Sequence, residues 1–374
     1  MSRIKSLLFL LALATHLPLL SATVTYAVGT CKPRLPSFPT ISAAVAATPS
    51  PNVVEVCPGT YPEQVVITTP MTVEGISEGN LTGATIAVPP GGLVDNWNDD
   101  FSSEPVAAQV LVNNASGEVN LSNLTVDGTG NNVTGFFNWV VGVFYANSSG
   151  TMNHLTTQNQ SGNGTGIGVW LEGGNATPSV TLEDSNLQGF DNTGIEAETN
   201  SSSSELTATL KGNFLKASFP GFGAALKGIE TGPGATASIT GNLIAPGFVW
   251  GIGSSAGSVS KNTVAGAQFR GISTTGASVT SNTIYNSGIL DAQPASTAIW
   301  VDSTAAPVTG NTITQSGSYG NAIDFDCTAG NNVHSNTILG AANALLNVPT
   351  GTVTPNTYYT VGTLRGSETI DECP

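Results

Sequence analysis

One spacing constrains this chain more than any other feature. It reads Ile239-x-x-Asn242-x-Ile244, Val259-x-x-Asn262-x-Val264, Val279-x-x-Asn282-x-Ile284, Val308-x-x-Asn311-x-Ile313 and Val333-x-x-Asn336-x-Ile338. The steps from Asn to Asn are 20, 20, 29 and 25 residues. Self-similarity at this period marks a solenoid. A second landmark follows each Asn: Gly251-Ile252, Gly271-Ile272, Ala298-Ile299 and Ala322-Ile323. Each unit holds short β-type runs separated by Gly, Asn and Ser, with no helical period. One unit cannot bury its own apolar face, so a core forms only by stacking. The expected fold is all-β, a right-handed parallel β-helix, because parallel crossovers are almost always right-handed.

The repeated Asn is expected to serve as the turn residue that tolerates positive φ. Its stacked amides are also expected to bond from rung to rung. The frame extends upstream as Leu210-x-x-Asn213-x-Leu215, Leu182-x-x-Ser185-x-Leu187 and Val119-x-x-Ser122-x-Leu124. Asn153-x-Leu155 fits with Gly150 in the first place. Residues 119–338 thus mark nine rungs, a rod about 40 Å long at one strand spacing per rung.

Residues 1–27 read as a signal peptide, with Arg3 and Lys5 before the apolar run Leu7–Leu20 and cleavage between Ala22 and Ala27. No stretch is long enough for a membrane span. The protein is therefore expected to be secreted, or periplasmic, and 28–374 to form one elongated domain. Only 9% of residues are charged, and the net charge of −15 becomes −17 without the leader. That balance excludes nucleic acid as a partner and argues against anionic membrane surfaces. Nothing in the pattern calls for an oligomer, so a monomer is expected. Four cysteines in an exported chain suggest two disulfides, Cys31–Cys57 and Cys327–Cys373, each pinning one end of the rod.

Residues 39–48 read as a short amphipathic helix capped by Thr40 or Ser42, covering the open edge of the first rung. Residues 339–374 lose the frame and are expected to form the C-terminal cap. After the helix comes Gly59-Thr60-Tyr61-Pro62-Glu63-Gln64-Val65. The helix and this segment, over about residues 39–76, resemble the opening coil of the pectin-lyase-like superfamily. The Gly-x-Tyr-x-Glu pattern is similar to the start of pectin methylesterases, and secreted β-helix repeat proteins without that activity share it. The remaining esterase motifs are absent, so the resemblance implies the fold and not the esterase. Ile299-Trp300-Val301-Asp302-Ser303 is similar to the Trp-Ile-Asp-His segment of pectate lyases, with Ser303 in the place of His.

Alternation along a strand sends successive side chains to opposite faces. If Val143, Ile167, Ile195, Ile229, Ile252, Ile272, Ile299 and Ile323 point inward, two outward columns follow. One runs Phe144, Gly168, Glu196, Glu230, Gly253, Ser273, Trp300, Asp324. The other runs Ala146, Trp170, Glu198, Gly232, Ser255, Thr275, Asp302, Asp326. Acidic groups stand at both ends of a trough floored by small residues. Asp302, Asp324 and Asp326 are the catalytic candidates, since paired carboxyls serve glycoside hydrolysis. Glu196, Glu198, Glu230, Trp170 and Trp300 are the candidate sugar contacts. The three aspartates also have the oxygen ligands to gather a calcium ion. The expected function is polysaccharide engagement on one sheet face, as a glycoside hydrolase or lyase-like enzyme. The alternative is a non-catalytic cell-surface, adhesive or carbohydrate-binding module. A charge-poor sheet kept soluble by outward acids would show the same pattern.

Overall fold

A computed structural model describes residues 23–77, 83–100, 102–133, 138–162, 164–174, 177–199, 205–217, 226–287, 296–302, 306–315, 320–325, 332–341, 343–346 and 356–359. Three parallel sheets of 13, 12 and 12 strands form the walls of a right-handed coil. A rung is one strand from each sheet, as in Val259's strand Gly257–Ser260, then Thr263–Ala265, then Arg270–Thr274. Eleven rungs are complete among the described residues, and Thr357–Tyr359 begins another. The interior is a continuous file of Val, Ile and Leu, closed to water from Val28 to Leu345. Parallel sheets need such two-sided burial, and here the coil itself supplies one side.

The amide ladder runs the length expected of it and further. Asn213, Asn242, Asn262, Asn282, Asn311 and Asn336 are each almost fully buried. Each Nδ2 donates to the next rung's Oδ1 at 2.9–3.0 Å, ending on Asn356. Each Oδ1 also accepts the backbone N–H of the previous Asn, as from Asn242 to Asn262 at 2.9 Å. The positive φ sits one residue earlier, at Gly241, Lys261, Ser281, Gly310 and Ser335. The turn therefore divides its work. One residue accepts the left-handed backbone, and the next turns its amide inward to satisfy the carbonyls and amides that the turn leaves open.

Upstream, the register differs from the sequence frame by two residues. Leu121 and Met152, not Val119 and Gly150, align with Leu182. The ladder position there is taken by Leu124 and Leu155, and Ser122 and Asn153 lie outside it. Ser185 is the first polar member, its N–H bonding Asn213 Oδ1 at 3.1 Å. A slip of two keeps every side chain on its face, so alternation alone could not reveal it. The nine rungs between Val119 and Ile338 stand. Downstream, strands Asn343–Leu346 and Thr357–Tyr359 continue the coil into the segment read as a cap. The frame is in fact present as Val353-x-x-Asn356-x-Tyr358, disguised by an aromatic in the last place.

The helix spans Ile41–Val45 with Thr40 as its cap, and it buries Ile41, Ala44 and Val45 on the first rung. Glu63 explains the opening motif: its carboxylate accepts the N–H groups of Ile41 and Ser42, each at 2.8 Å. Tyr61 donates to the Cys57 carbonyl at 2.8 Å. The motif thus fastens the helix to the coil. Cys31 and Cys57 are joined, and Cys57 occupies the ladder's height in the first rung. Cys327 and Cys373 lie outside the described residues. Strand Thr25–Val28, at the end of the segment read as a leader, pairs with Val53–Val56 and buries Ala27. Residues 1–22 of that segment lie outside the described residues. No helix among the described residues is long and apolar enough to cross a membrane.

Candidate functional site

The third sheet carries the trough, and a column of small residues shapes it. Gly142, Gly168, Gly194, Gly228, Gly251 and Gly271 stand one above another, followed by Ala298 and Ala322. A Cβ at Gly228, Gly251 or Gly271 would stand 2.4–2.5 Å from the next rung's carbonyl oxygen. The strand steps at this column. Ile167 packs outward while Val169, two residues on, packs inward. Ordinary strand alternation would put both on one face.

Two corrections follow. Val169, not Ile167, is the inward partner of Val143 and Ile195. The first outward column therefore reads Phe144, Trp170, Glu196, Glu230, Gly253, Ser273, Trp300, Asp324. The second gains Glu172, which pairs with Ala146 and Glu198. The sequence reading missed Glu172 and a whole third column, the residue before each small one: Lys227, Trp250, Arg270, Thr297 and Asn321. Its signal was available, since X-Gly-Ile and X-Ala-Ile recur with X polar or aromatic.

Trp170 is not an open sugar platform. It is 2% exposed, stacked on Phe144 at 5.0 Å and set edge-on to Trp139 at 5.7 Å. With Val106, Leu111, Val141 and Ile167 they form an apolar cluster on the outside of the coil. A strap formed by residues 94–100 and 102–104 covers it. Within the strap, Trp97–Asn98 pairs antiparallel with the edge of strand Pro105–Asn113. Asn96 exchanges hydrogen bonds with Ala108, and the strap is tied down further along as well. Asp100 N–H donates to Glu172 Oε1 at 2.8 Å, Asn147 to Asp100 at 3.3 Å, and the Trp139 indole to Glu104 at 2.8 Å. An open cleft of about 480 Å³ borders the strap, lined by Asp95, Asn96, Trp97, Asn98 and Asp100.

Beyond the strap lie Glu196, Glu198 and Glu230. Burial pushes the Glu172 carboxyl up to about 8, with Asp100, Asp99 and Glu198 adding repulsion. Burial pushes Glu198 up to about 8 as well, helped by Glu196 and Asp99. Burial also raises Glu196 and Glu230, against the pull of Lys227. Lys227 Nζ stands 3.5 Å from Glu230 Oε1 and 5.4 Å from the Trp250 ring. Glu230 leans over Gly253, where a Cβ would meet its Oε2 at 2.1 Å. Small residues on the trough floor thus make room for the carboxyl.

At the far end, Arg270 lies 3.2 Å from the Trp300 ring centroid, so one ring face is occupied by the guanidinium. Asp324 is the register neighbour of Trp300 and is 4% exposed. Asp302 is half-buried at the end of the preceding strand, and Asp326 lies outside the described residues. Among the described residues no group of three His, Cys, Asp or Glu side chains is placed to hold a metal ion.

Residues 166–338 match the family model described as the right handed beta helix region. No curated protein matches the chain. Among solved structures, it is similar to a lacto-N-biosidase from Eubacterium ramulus (10% identity, 93% of this chain and 66% of that one, TM-score 0.49). It is also similar to an alginate lyase from Paenibacillus sp. (13% identity, 90% and 95%, TM-score 0.41). A third is the A-module of a mannuronan C-5 epimerase from Azotobacter vinelandii (16% identity, 87% and 94%, TM-score 0.42). The chain spans just under two thirds of the first of these.

Proposed function

We propose that this is an exported β-helix protein that engages polysaccharide on the outer face of its third sheet, and that it acts as a glycoside hydrolase. The supporting observation is the bank of raised carboxyls, Glu196, Glu198 and Glu230, at the end of a small-residue trough. Catalytic acids must keep their proton near working pH, and burial beside other carboxyls achieves that. Glu198 is the proposed acid. Glu230, which Lys227 pulls towards ionisation, is the proposed base or nucleophile. Trp250 and the free face of Trp300 supply apolar contact to sugar rings. Asp302 and Asp324 are proposed ligand contacts around Trp300 rather than the acid–base pair. The proposed mature chain begins at Thr23, which keeps strand Thr25–Val28 whole.

One observation favours a second reading, a non-catalytic carbohydrate-binding module. All the resolved shifts on the trough glutamates are upward, which leaves no strongly ionised partner for an acid. Screening the purified protein against a panel of polysaccharides, for binding and for released reducing ends, separates the two. Cleavage that disappears in both Glu198→Gln and Glu230→Gln, with binding kept, supports the hydrolase. Binding without any release of reducing ends, reduced by Trp250→Ala, supports the module. No binding at all sinks both.

A further inference from the structure

We infer that the trough receives the end of an uncharged glycan chain, with the strap as its end wall. The inference rests on the carbohydrate reading above and narrows it to a mode of binding and a class of sugar. A bare β-helix sheet is open at both ends along the coil axis, so a ligand lying along it could run past on either side. Here the outward column becomes part-exposed only beyond the strap, at Glu196, Glu230, Ser273 and Trp300. Phe144, Ala146 and Trp170 in the preceding rungs are 0–2% exposed, so a glycan cannot continue over them. The wall is anchored rather than laid loosely against the sheet, since Trp97 packs on the outer apolar cluster and Asp100 reaches Glu172 two rungs beyond the strap's own strand. Beyond the wall the first column runs over five rungs from Glu196 to Trp300, about 19 Å, with Glu196, Glu230, Ser273 and Trp300 part-exposed. That suits a short terminal stretch of a chain.

The chemistry at the wall selects against acidic sugars. Glu196, Glu198 and Glu230 face the walled end with Asp99 and Asp100 beside them; Lys227 is already engaged by Glu230, and Arg270, two rungs further on, lies against Trp300. A uronate placed there would add a further carboxylate to groups that already crowd one another. A neutral sugar would instead meet carboxyls able both to donate to and to accept from its hydroxyls.

The experiment is a length series. Uncharged glucan, xylan, mannan and N-acetylglucosamine polymers, with alginate and polygalacturonate as charged controls, are each split into narrow size fractions. Binding capacity is then measured per gram and per chain by calorimetry. End recognition predicts one site per chain at every length, so capacity per gram falls in proportion as chains lengthen. Capacity per gram that is independent of length overturns the end wall while leaving the carbohydrate reading intact. Binding confined to the uronic polymers overturns the uncharged class alone. No binding to any polymer overturns the carbohydrate reading and this inference with it. A strap-loosened double variant, Asp100→Ala with Glu104→Ala, is expected to gain capacity per gram on the longest fractions. If it unfolds, the wild-type series still decides.

Discussion

Rungs three and four share the inner core of rungs six to ten, yet the two regions are held differently. In the earlier pair the ladder position is Leu124 and Leu155, and the outside of the third sheet is apolar and covered by the strap. In the later rungs the ladder position is Asn, and the described outward column is polar or small and part-exposed, as at Glu230, Ser273 and Trp300. The early rungs bury two apolar layers, one inside and one outside. The later rungs have only the inner one, and a file of buried amides ties each rung to the next. A polar, part-exposed outer face forgoes a source of hydrophobic stabilisation, and the ladder contributes bonds in the rungs where that layer is thin.

The largest effect should come from attacking the outer layer. Trp170→Ala is expected to cost about 3–5 kcal/mol, as for other buried aromatic truncations. Trp300→Ala, in the part-exposed region, should cost far less. Denaturant melts of both variants check this, and equal losses would break the comparison. Next, reducing Cys31–Cys57 should weaken the first rung by about 2–4 kcal/mol. Solenoid stability is a sum of neighbour terms, so hydrogen exchange should rise near residues 25–67 and stay unchanged around Asn262 and Asn282. Asn262→Ala should cost about 1–3 kcal/mol by orphaning the Asn242 amide and the Ile239 carbonyl. A melting curve like wild type would show that the ladder contributes nothing to the later rungs.

A separate effect is the pH dependence. Glu172 and Glu198 titrate near 4.5 when exposed and at about 8 in the fold. Between those values the native protein holds protons that the unfolded chain has released. Stability should therefore fall as pH rises from about 4.5 to about 8 and level off above. Glu198→Gln should flatten part of that slope, measured as melting temperature against pH. An unchanged slope would place the protons elsewhere.

Much of this was legible from Val-x-x-Asn-x-Ile alone. The ladder and the nine rungs follow from local chemistry that repeats, while the helix under the first rung and the Cys31–Cys57 bond follow from an amphipathic stretch and from paired cysteines. The site was legible only in part, for a physical reason. Glu196, Glu198, Glu230, Trp300 and Asp324 were placed outward because strict alternation holds downstream of the small-residue column. Alternation fails across that column, so Lys227, Trp250 and Arg270 were overlooked and Ile167 was turned inward. The same failure hid Glu172 and left Trp170 as a sugar contact. Trp170 looked exposed because nothing in its own strand announces a strap that arrives from residues 94–100 and 102–104. Contacts of that kind come from loop length and from partners far along the chain.

The ladder also has a direction. Every Nδ2 from Asn213 to Asn336 donates towards the later rung, and every Oδ1 from Asn242 to Asn356 looks back to the earlier one. Like-oriented amides in a row polarise one another, so the file behaves as a single electric dipole along the rod. Such an array can be lengthened by splicing in a rung of the same sense. A rung turned over would set donor against donor, so growth of this coil by duplication is possible in one polarity alone.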